Sequence, residues 1–313
     1  TASIAVFSIA FVPFFQLEGY IFAIIFAQLS SSLYTMWRAR LFYFFRWSSV
    51  RREPLVDLLK YSLPLAPNSI MWWLISGFNR PLMESKLGLA AIGIYAVANK
   101  ISGTVNAASS IVSLAWCNSV LDEYGKLGFD RFYNNYLRVL ASIYFICCFF
   151  LIVFSEIIVK VFSTSDYYEA ASYIPLLAIG LTCSGLGSSV GTIYAVVKKS
   201  KYFFYSSLWG GCVSIATIYP LMHFFGIMGV CLSLLLAFLA ILISRWYYAS
   251  SFIKIEQIGF YIILLGSLPI VMIINQNCSC YIKYTFDIIV LLFFLYIERF
   301  DLKKIISNVK RQN

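Results

Sequence analysis

The sequence predicts an all-α polytopic membrane protein of about ten transmembrane helices. Three observations carry that prediction. Of 313 residues, 61% are hydrophobic and only 12% are charged, against roughly 45–50% and about 25% in soluble domains. A compact soluble fold cannot bury so much apolar surface, because area-to-volume scaling limits any core; disorder is excluded by the same composition. The mean hydropathy is +0.81, and apolar runs near the length of about 20 residues that spans hydrocarbon recur along the chain.

The first run covers 1–15 and is short. It holds Ile4 to Val12 with neither a basic region before it nor a small-residue cleavage site after it, so it is not a signal peptide. Thr1 is no initiator, and the sequence is expected to lack an N-terminal portion. A second run covers 17–37. Segment 38–60 opens Arg38-Ala39-Arg40-Leu41-Phe42-Tyr43-Phe44-Phe45-Arg46-Trp47, basic and aromatic, and reads as an interfacial helix on anionic lipid. Flanking spans argue against RNA as its partner.

The third span, 61–83, opens on Tyr61-Ser62-Leu63-Pro64-Leu65-Ala66-Pro67-Asn68. Prolines three apart are expected to bend it and free backbone carbonyls. It ends on Gly77-Phe78-Asn79-Arg80-Pro81. Span 89–115 carries Lys100, then a connection runs to 137. Spans follow at 138–158, 171–196, 203–224, 227–248, 257–275 and 281–299. Gly180, Gly185, Gly187 and Gly191 in an apolar span predict close helix packing. His223 sits in a short turn, where an interfacial place fits better than a proton relay. Lys283 and Asp287, four apart, predict a local ion pair. The eight cysteines fall mostly inside apolar runs as small apolar residues. Cys278 and Cys280, in a loop without His, predict no metal. Asn277-Cys278-Ser279 matches a glycosylation sequon, a weak signal.

The net charge of +10 is not a diffuse basic surface. Of 24 Lys and Arg, 19 fall on alternate connections, from Arg38 through Arg245 and Lys254 to Arg311. Lys86, Lys160 and Lys283 fall on the others. Lysine and arginine accumulate on the cytoplasmic side, which predicts a cytoplasmic C-terminus. Arg80 and Lys100 remain inside predicted spans.

A charge within a span is expensive and marks a candidate site. Lys100 lies about 11 residues into its helix, roughly 16 Å deep at 1.5 Å per residue. Tyr95, Asn99, Ser102, Asn106, Ser109 and Ser113 recur on one face, with Lys100, Gly103, Thr104 and Ala107 beside them. Ile94, Val97, Ile101 and Val105 occupy the opposite face. This predicts a cavity-lining stripe; the alternative is helix packing by small polar residues, with Lys100 paired to an acid. Arg80 either faces the cavity or snorkels to the interface. There is no P-loop, HExxH, GxSxG or paired intramembrane carboxylate, which disfavours an ATP-driven pump and a metalloprotease.

Residues 61–69, Asn79-Arg80, and Leu87-Gly88-Leu89-Ala90-Ala91-Ile92-Gly93-Ile94-Tyr95-Ala96-Val97-Ala98-Asn99-Lys100-Ile101 resemble the bacterial polysaccharide (O-antigen/exopolysaccharide, Wzx-type) flippases of the MOP superfamily, which includes MATE exporters. The resemblance implies a MATE-like two-lobe fold of 12–14 helices. Residues 1–37 would end an incomplete first lobe, 38–60 form a cytoplasmic linker, 61–248 the second six-helix lobe, 257–299 two additional helices and 300–313 a basic tail. Four further spans, on the order of 150 residues, would precede Thr1.

The resemblance further implies a non-enzymatic flippase of the bacterial inner membrane. It would move undecaprenyl-pyrophosphate-linked repeat units from the cytoplasmic to the outer leaflet by alternating access. No cofactor is implied, with H+ or Na+ as the coupling ion. Its partners would be the lipid-linked glycan, membrane lipid and other polysaccharide assembly proteins, with no nucleic acid. The cavity set is Lys100, Arg80, Asn99, Asn106, Ser102, Tyr95, Thr104, Asn79 and Asn68, with Pro64 and Pro67 as hinge. Asn79 stands where the family often has Asp, so an acid–base pair with Arg80 is lost. A polysaccharide polymerase or ligase would carry a larger outer loop, a MATE-type antiporter would need cavity carboxylates, and an incomplete first lobe leaves an inactive product as the plainest alternative.

Overall fold

A computed structural model describes residues 2–40, 43, 52–63, 65–256, 258–277, 283 and 285–294. Pro64, Cys278, Cys280, most of the basic aromatic segment after Arg40 and the tail beyond 294 lie outside the described residues. The described chain is helical, without a strand. Its helices are α1 (Ala2–Arg38), α2 (Arg52–Ser62), α3 (Leu65–Ser76), α4 (Asn79–Leu87), α5 (Leu89–Ser102), α6 (Thr104–Glu123) and α7 (Phe129–Phe162). After a 3-10 segment, Ser165–Ser172, come α8 (Ile174–Val196), α9 (Lys201–Ala249), α10 (Ile258–Asn277) and α11 (Thr285–Phe294). Among the described residues five helices are long and apolar enough to cross a membrane, two of shorter apolar length joining them. This is a multi-pass membrane protein.

The chain divides into two compact units, Thr1–Leu59 and Lys60–Asn313. In the first, α1 doubles back at Gln16 (φ 49°, ψ −121°). Its two legs meet along Gly19, Ala23 and Ala27, each four residues from the last, with both alanines buried. Phe26 packs against Phe7 and Phe11 of the opposite leg, ring centroids 6.2 and 5.5 Å away.

The second unit repeats this device. Helix α9 has 49 residues, which would run about 74 Å if straight, far beyond a bilayer. It reverses at Gly226 (φ 56°, ψ −131°), and its legs meet along Gly229, Ser233 and Ala237, again four apart and buried. A Cβ on Gly229 would lie 1.9 Å from the Leu221 carbonyl oxygen, so only glycine lets the legs close. The two turns share more than shape: Phe14-Phe15-Gln16-Leu17-Glu18-Gly19 and Phe224-Phe225-Gly226-Ile227-Met228-Gly229 place paired phenylalanines and the seam glycine at the same offsets.

Helix α8 is the post of this unit, nearly all buried and packed by α5, α6, α7, α9 and α10. Its glycines perform as their spacing predicts. A Cβ on Gly180 would meet the Leu235 Cα at 3.4 Å, and one on Gly187 the Leu242 Cα at 3.5 Å. Both steps are seven residues in the same direction, so α8 and the second leg of α9 run parallel at close range. Trp116 Nε1 donates to the Ser189 carbonyl (3.2 Å) and Tyr133 Oη to that of Val190 (2.9 Å), fixing α6 and α7 to the post.

Several expectations are corrected. The span at 61–83 is not one helix: the end of α2 at Ser62 is followed by α3 from Leu65, and a second break, which the sequence did not suggest, falls at Gly77-Phe78 before α4. Pro67 stands in the first turn of α3, where helix amides have no intrahelical acceptor, so it removes nothing. The connection at 116–137 shrinks to 124–128, because α6 runs on to Glu123 and α7 starts at Phe129. Lys283 pairs with Glu156 of α7 at 3.7 Å, not with Asp287. Asp287 is buried and accepts instead from Asn275 Nδ2 of α10 at 2.9 Å. His223 is exposed against the Phe224 ring.

Candidate functional site

A half-open cavity of ≈ 460 Å³ lies between α3, α5, α6, α8 and the second leg of α9. Its wall alternates hydroxyls and amides with aromatic faces: Ser76, Asn99, Asn106, Ser109, Ser110, Ser113, Ser184 and Ser188, with Trp72, Tyr95 and Phe238. Elsewhere this chain turns hydrocarbon outward, so Phe14, Ile9, Phe162 and Phe224 are each well exposed. A concentrated polar wall inside such a molecule is what a hydrophilic solute needs.

Five of the six residues in the predicted polar stripe line this cavity: Tyr95, Asn99, Asn106, Ser109 and Ser113. The stripe crosses from α5 to α6 at Gly103, whose amide still bonds to Asn99. Ser102 turns away, is buried, and donates to the Ile174 carbonyl at 3.2 Å, so it joins α5 to α8. Thr104 Oγ1 bonds back to Ile101 of its own turn. Lys100 is exposed and lines no part of the cavity, as is Arg80. Asn68 accepts from Ser207 Oγ and joins α3 to α9. Asn79 is 1% exposed, and its side-chain amide sits beside the Tyr95 hydroxyl.

The wall is held rigidly from behind. Ser109 Oγ and Tyr144 Oη are 3.0 Å apart, Tyr144 Oη reaches Ser189 Oγ at 3.3 Å, and Ser189 Oγ donates to the Gly185 carbonyl. A Cβ on Gly185 would press on Ser109 Oγ at 3.2 Å and the Tyr144 ring at 3.3 Å. Ser109 is therefore held in the wall by a buried network that links α6, α7 and α8.

One residue counted among loop charges belongs here. Arg245 is 3% exposed, on the second leg of α9, facing α8. Its Nε donates to Ser206 Oγ (3.2 Å) and its Nη1 to Ser188 Oγ (3.4 Å), while its own carbonyl accepts from Tyr194 Oη (2.6 Å). Trp72 and Phe203 flank the guanidinium, 6.0 and 5.6 Å from their ring centres. Ser188 and Trp72 are both cavity wall. The signal was present in the helical phase: Phe238, Ile241, Leu242 and Arg245 continue one buried face at steps of three and four.

The sequence profile described as polysaccharide biosynthesis protein matches residues 1–172. The chain belongs to that family. A comparison with curated protein sequences finds no match. Among solved structures, this polysaccharide biosynthesis protein is similar to a point mutant of a MATE protein (TM-score 0.64, 13% identity, 86% of this chain and 61% of that one). It is similar also to the lipid II flippase MurJ in an inward closed conformation (0.61, 14%, 96% and 66%). A third is the Vibrio cholerae MATE transporter VcmN in a bent form (0.56, 13%, 86% and 62%). At these identities the likeness is one of fold, and the all-α membrane-transporter class read from the sequence holds. The chain spans 61–66% of the length of those structures.

Proposed function

We propose that this family member moves undecaprenyl-pyrophosphate-linked oligosaccharide repeat units, of an O-antigen or another surface polysaccharide, from the cytoplasmic to the outer leaflet of a bacterial inner membrane. The observation that carries the reading is the polar cavity in a transporter fold of a polysaccharide biosynthesis family. A glycan crossing hydrocarbon unaided would lose hydrogen bonds to water worth several kcal/mol per polar group. Asn99, Asn106 and the serines offer donors and acceptors for sugar hydroxyls, and Trp72, Tyr95 and Phe238 offer flat faces for sugar rings. The action is binding and rocking rather than covalent chemistry. The similar solved structures named as a lipid II flippase and as MATE transporters support this reading over a polymerase.

In this reading residues 1–37 close a first lobe, 61–248 form the second with its cavity, 257–299 add two helices, and the 18 alternating cations left once Arg245 is taken inside favour a cytoplasmic C-terminus. Proton or sodium coupling, and docking to other assembly proteins, belong to the same proposal. The test is where lipid-linked glycan collects in cells lacking the gene. Complete repeat units held on the cytoplasmic leaflet support the flippase. Single units collecting on the outer face mark a polymerase and overturn it.

A further inference from the structure

Asp287 is a carboxyl group that the cavity does not use. It is 5% exposed, in the first turn of α11, an apolar helix whose Phe294 stacks on Phe145 of α7 at 4.6 Å. Asn275 of α10 meets it from the other side. Both hydrogens of the Asn275 amide are spent: Nδ2 donates to the Val271 carbonyl at 3.0 Å and to Asp287 Oδ1 at 2.9 Å. The carbonyl can only accept, which fixes the orientation of the amide. Two buried oxygens are left on the same two groups, Asn275 Oδ1 and Asp287 Oδ2, and neither has a hydrogen-bond partner among the described residues. Both are acceptors, so they cannot satisfy each other while Asp287 is ionised. A buried acceptor left unmade is costly, and a charged one more so. Lys283, four residues before Asp287, pairs instead with Glu156 of α7 at 3.7 Å. That contact is long and its carboxylate is 63% exposed, so it contributes little. The other charge on that turn of α7 is Lys160, which is exposed, and α10 has no charged residue from Ile258 to Asn277.

We propose that Asp287 and Asn275 form a proton-binding site between α10 and α11, and that release of the proton draws Lys283 from Glu156 to Asp287. With the proton in place, Asp287 Oδ2–H donates to Asn275 Oδ1 while Asn275 Nδ2 donates to Asp287 Oδ1. This acid–amide ring satisfies both orphaned oxygens with one hydrogen and ties the two helices together. Without the proton, a buried anion faces the amide oxygen, and Lys283 is the nearest cation one helical turn away. Leaving Glu156 costs it little. The Lys283–Asp287 pair that the sequence predicts is therefore the deprotonated arrangement, and the observed pairs are the protonated one. The proton is exchanged with water on the side where Glu156 is exposed. None of these residues lines the polar cavity, and the assignment stands apart from the flippase reading.

The test uses the full chain in nanodiscs of phosphatidylcholine, with infrared spectroscopy as readout, since the C=O stretch of a neutral carboxylic acid stands apart from those of carboxylates and amides. At neutral pH the parent shows a neutral-acid band that D287N removes. D287N keeps the ring as an amide–amide pair, which guards against poor folding. N275A, which takes away the donor to Asp287 Oδ1, moves the band to higher frequency. Raising the pH abolishes the band, and its midpoint reports on the lysine. K283M raises the midpoint by about one pH unit, because the carboxylate loses its counter-charge. E156Q lowers it by about half a unit, because the lysine is freed for Asp287. A parent spectrum identical to that of D287N at neutral pH overturns the proton site. A midpoint that neither K283M nor E156Q moves overturns the exchange of the lysine.

Discussion

Arg245 reaches from α9 to Ser188 on α8, and the 3.4 Å contact between Nη1 and Oγ puts a buried charge directly behind the cavity wall. Two other features bear on it: Gly191 clears the slot, and the Trp72 ring lies 6.0 Å from the guanidinium. A buried guanidinium without a carboxylate partner costs stability.

Replacing Arg245 by Met, of similar reach and apolar, should therefore leave the unfolding temperature unchanged or raise it, on the scale of about 1–4 kcal/mol seen when buried charges give way to hydrophobic groups. Surface polysaccharide in a complemented deletion strain should fall at the same time. Thermal unfolding in detergent and polysaccharide yield, measured on the same variant, check the opposing signs.

Lys100 and Asn106 should separate cleanly. Lys100 is exposed and is not part of the cavity lining, whereas Asn106 lines it. Lys100→Ala should complement at close to parental level, and Asn106→Leu should not, at equal expression measured by immunoblot.

The two hairpin turns offer a stability test. Gly229→Ala drives a methyl into the Leu221 backbone and should destabilise by about 1–3 kcal/mol or more. Gln16 occupies a positive-φ turn that costs a side chain about 1–3 kcal/mol of strain, so Gln16→Gly should stabilise by about 1 kcal/mol. Gly226, with open space around it, should tolerate alanine better than Gly229 does. Melting curves of the three variants give the order.

Tyr144→Phe removes the hydroxyl shared by Ser109 and Ser189. Its cost should be about 1–3 kcal/mol, since the partners are buried. Glycan transport should fall with it, because Ser109 loses its support.

Much of this was legible in the chain, and particular residues show where it stopped. The steps of four and three from Tyr95 to Ser113 place one polar face on α5 and α6, and five of those six side chains reach the cavity. Lys100 follows Asn99 in sequence but stands about 100° around the helix, so neighbouring in the chain misled. The facing wall, Trp72, Ser184 and Ser188, depends on which helices pack together, which periodicity within one helix cannot tell. Arg245 was hidden by its nearness to a helix end, where a cation reads as a loop charge. Asp287 finds Asn275 across two helices for the same reason. The paired turns at Gln16 and Gly226 were visible as matching strings, yet glutamine in one of them masks the shared backbone geometry.

Carriage of a lipid-linked glycan through this polar cavity, as proposed, is tested most directly by leaflet exchange of a fluorescent polyprenyl-diphosphate oligosaccharide in proteoliposomes holding the protein, read by a membrane-impermeant quencher. Exchange well above protein-free vesicles, and reduced about tenfold or more by Asn106→Leu, is the predicted result. Exchange equal to empty vesicles, or undiminished in that variant, would contradict the account.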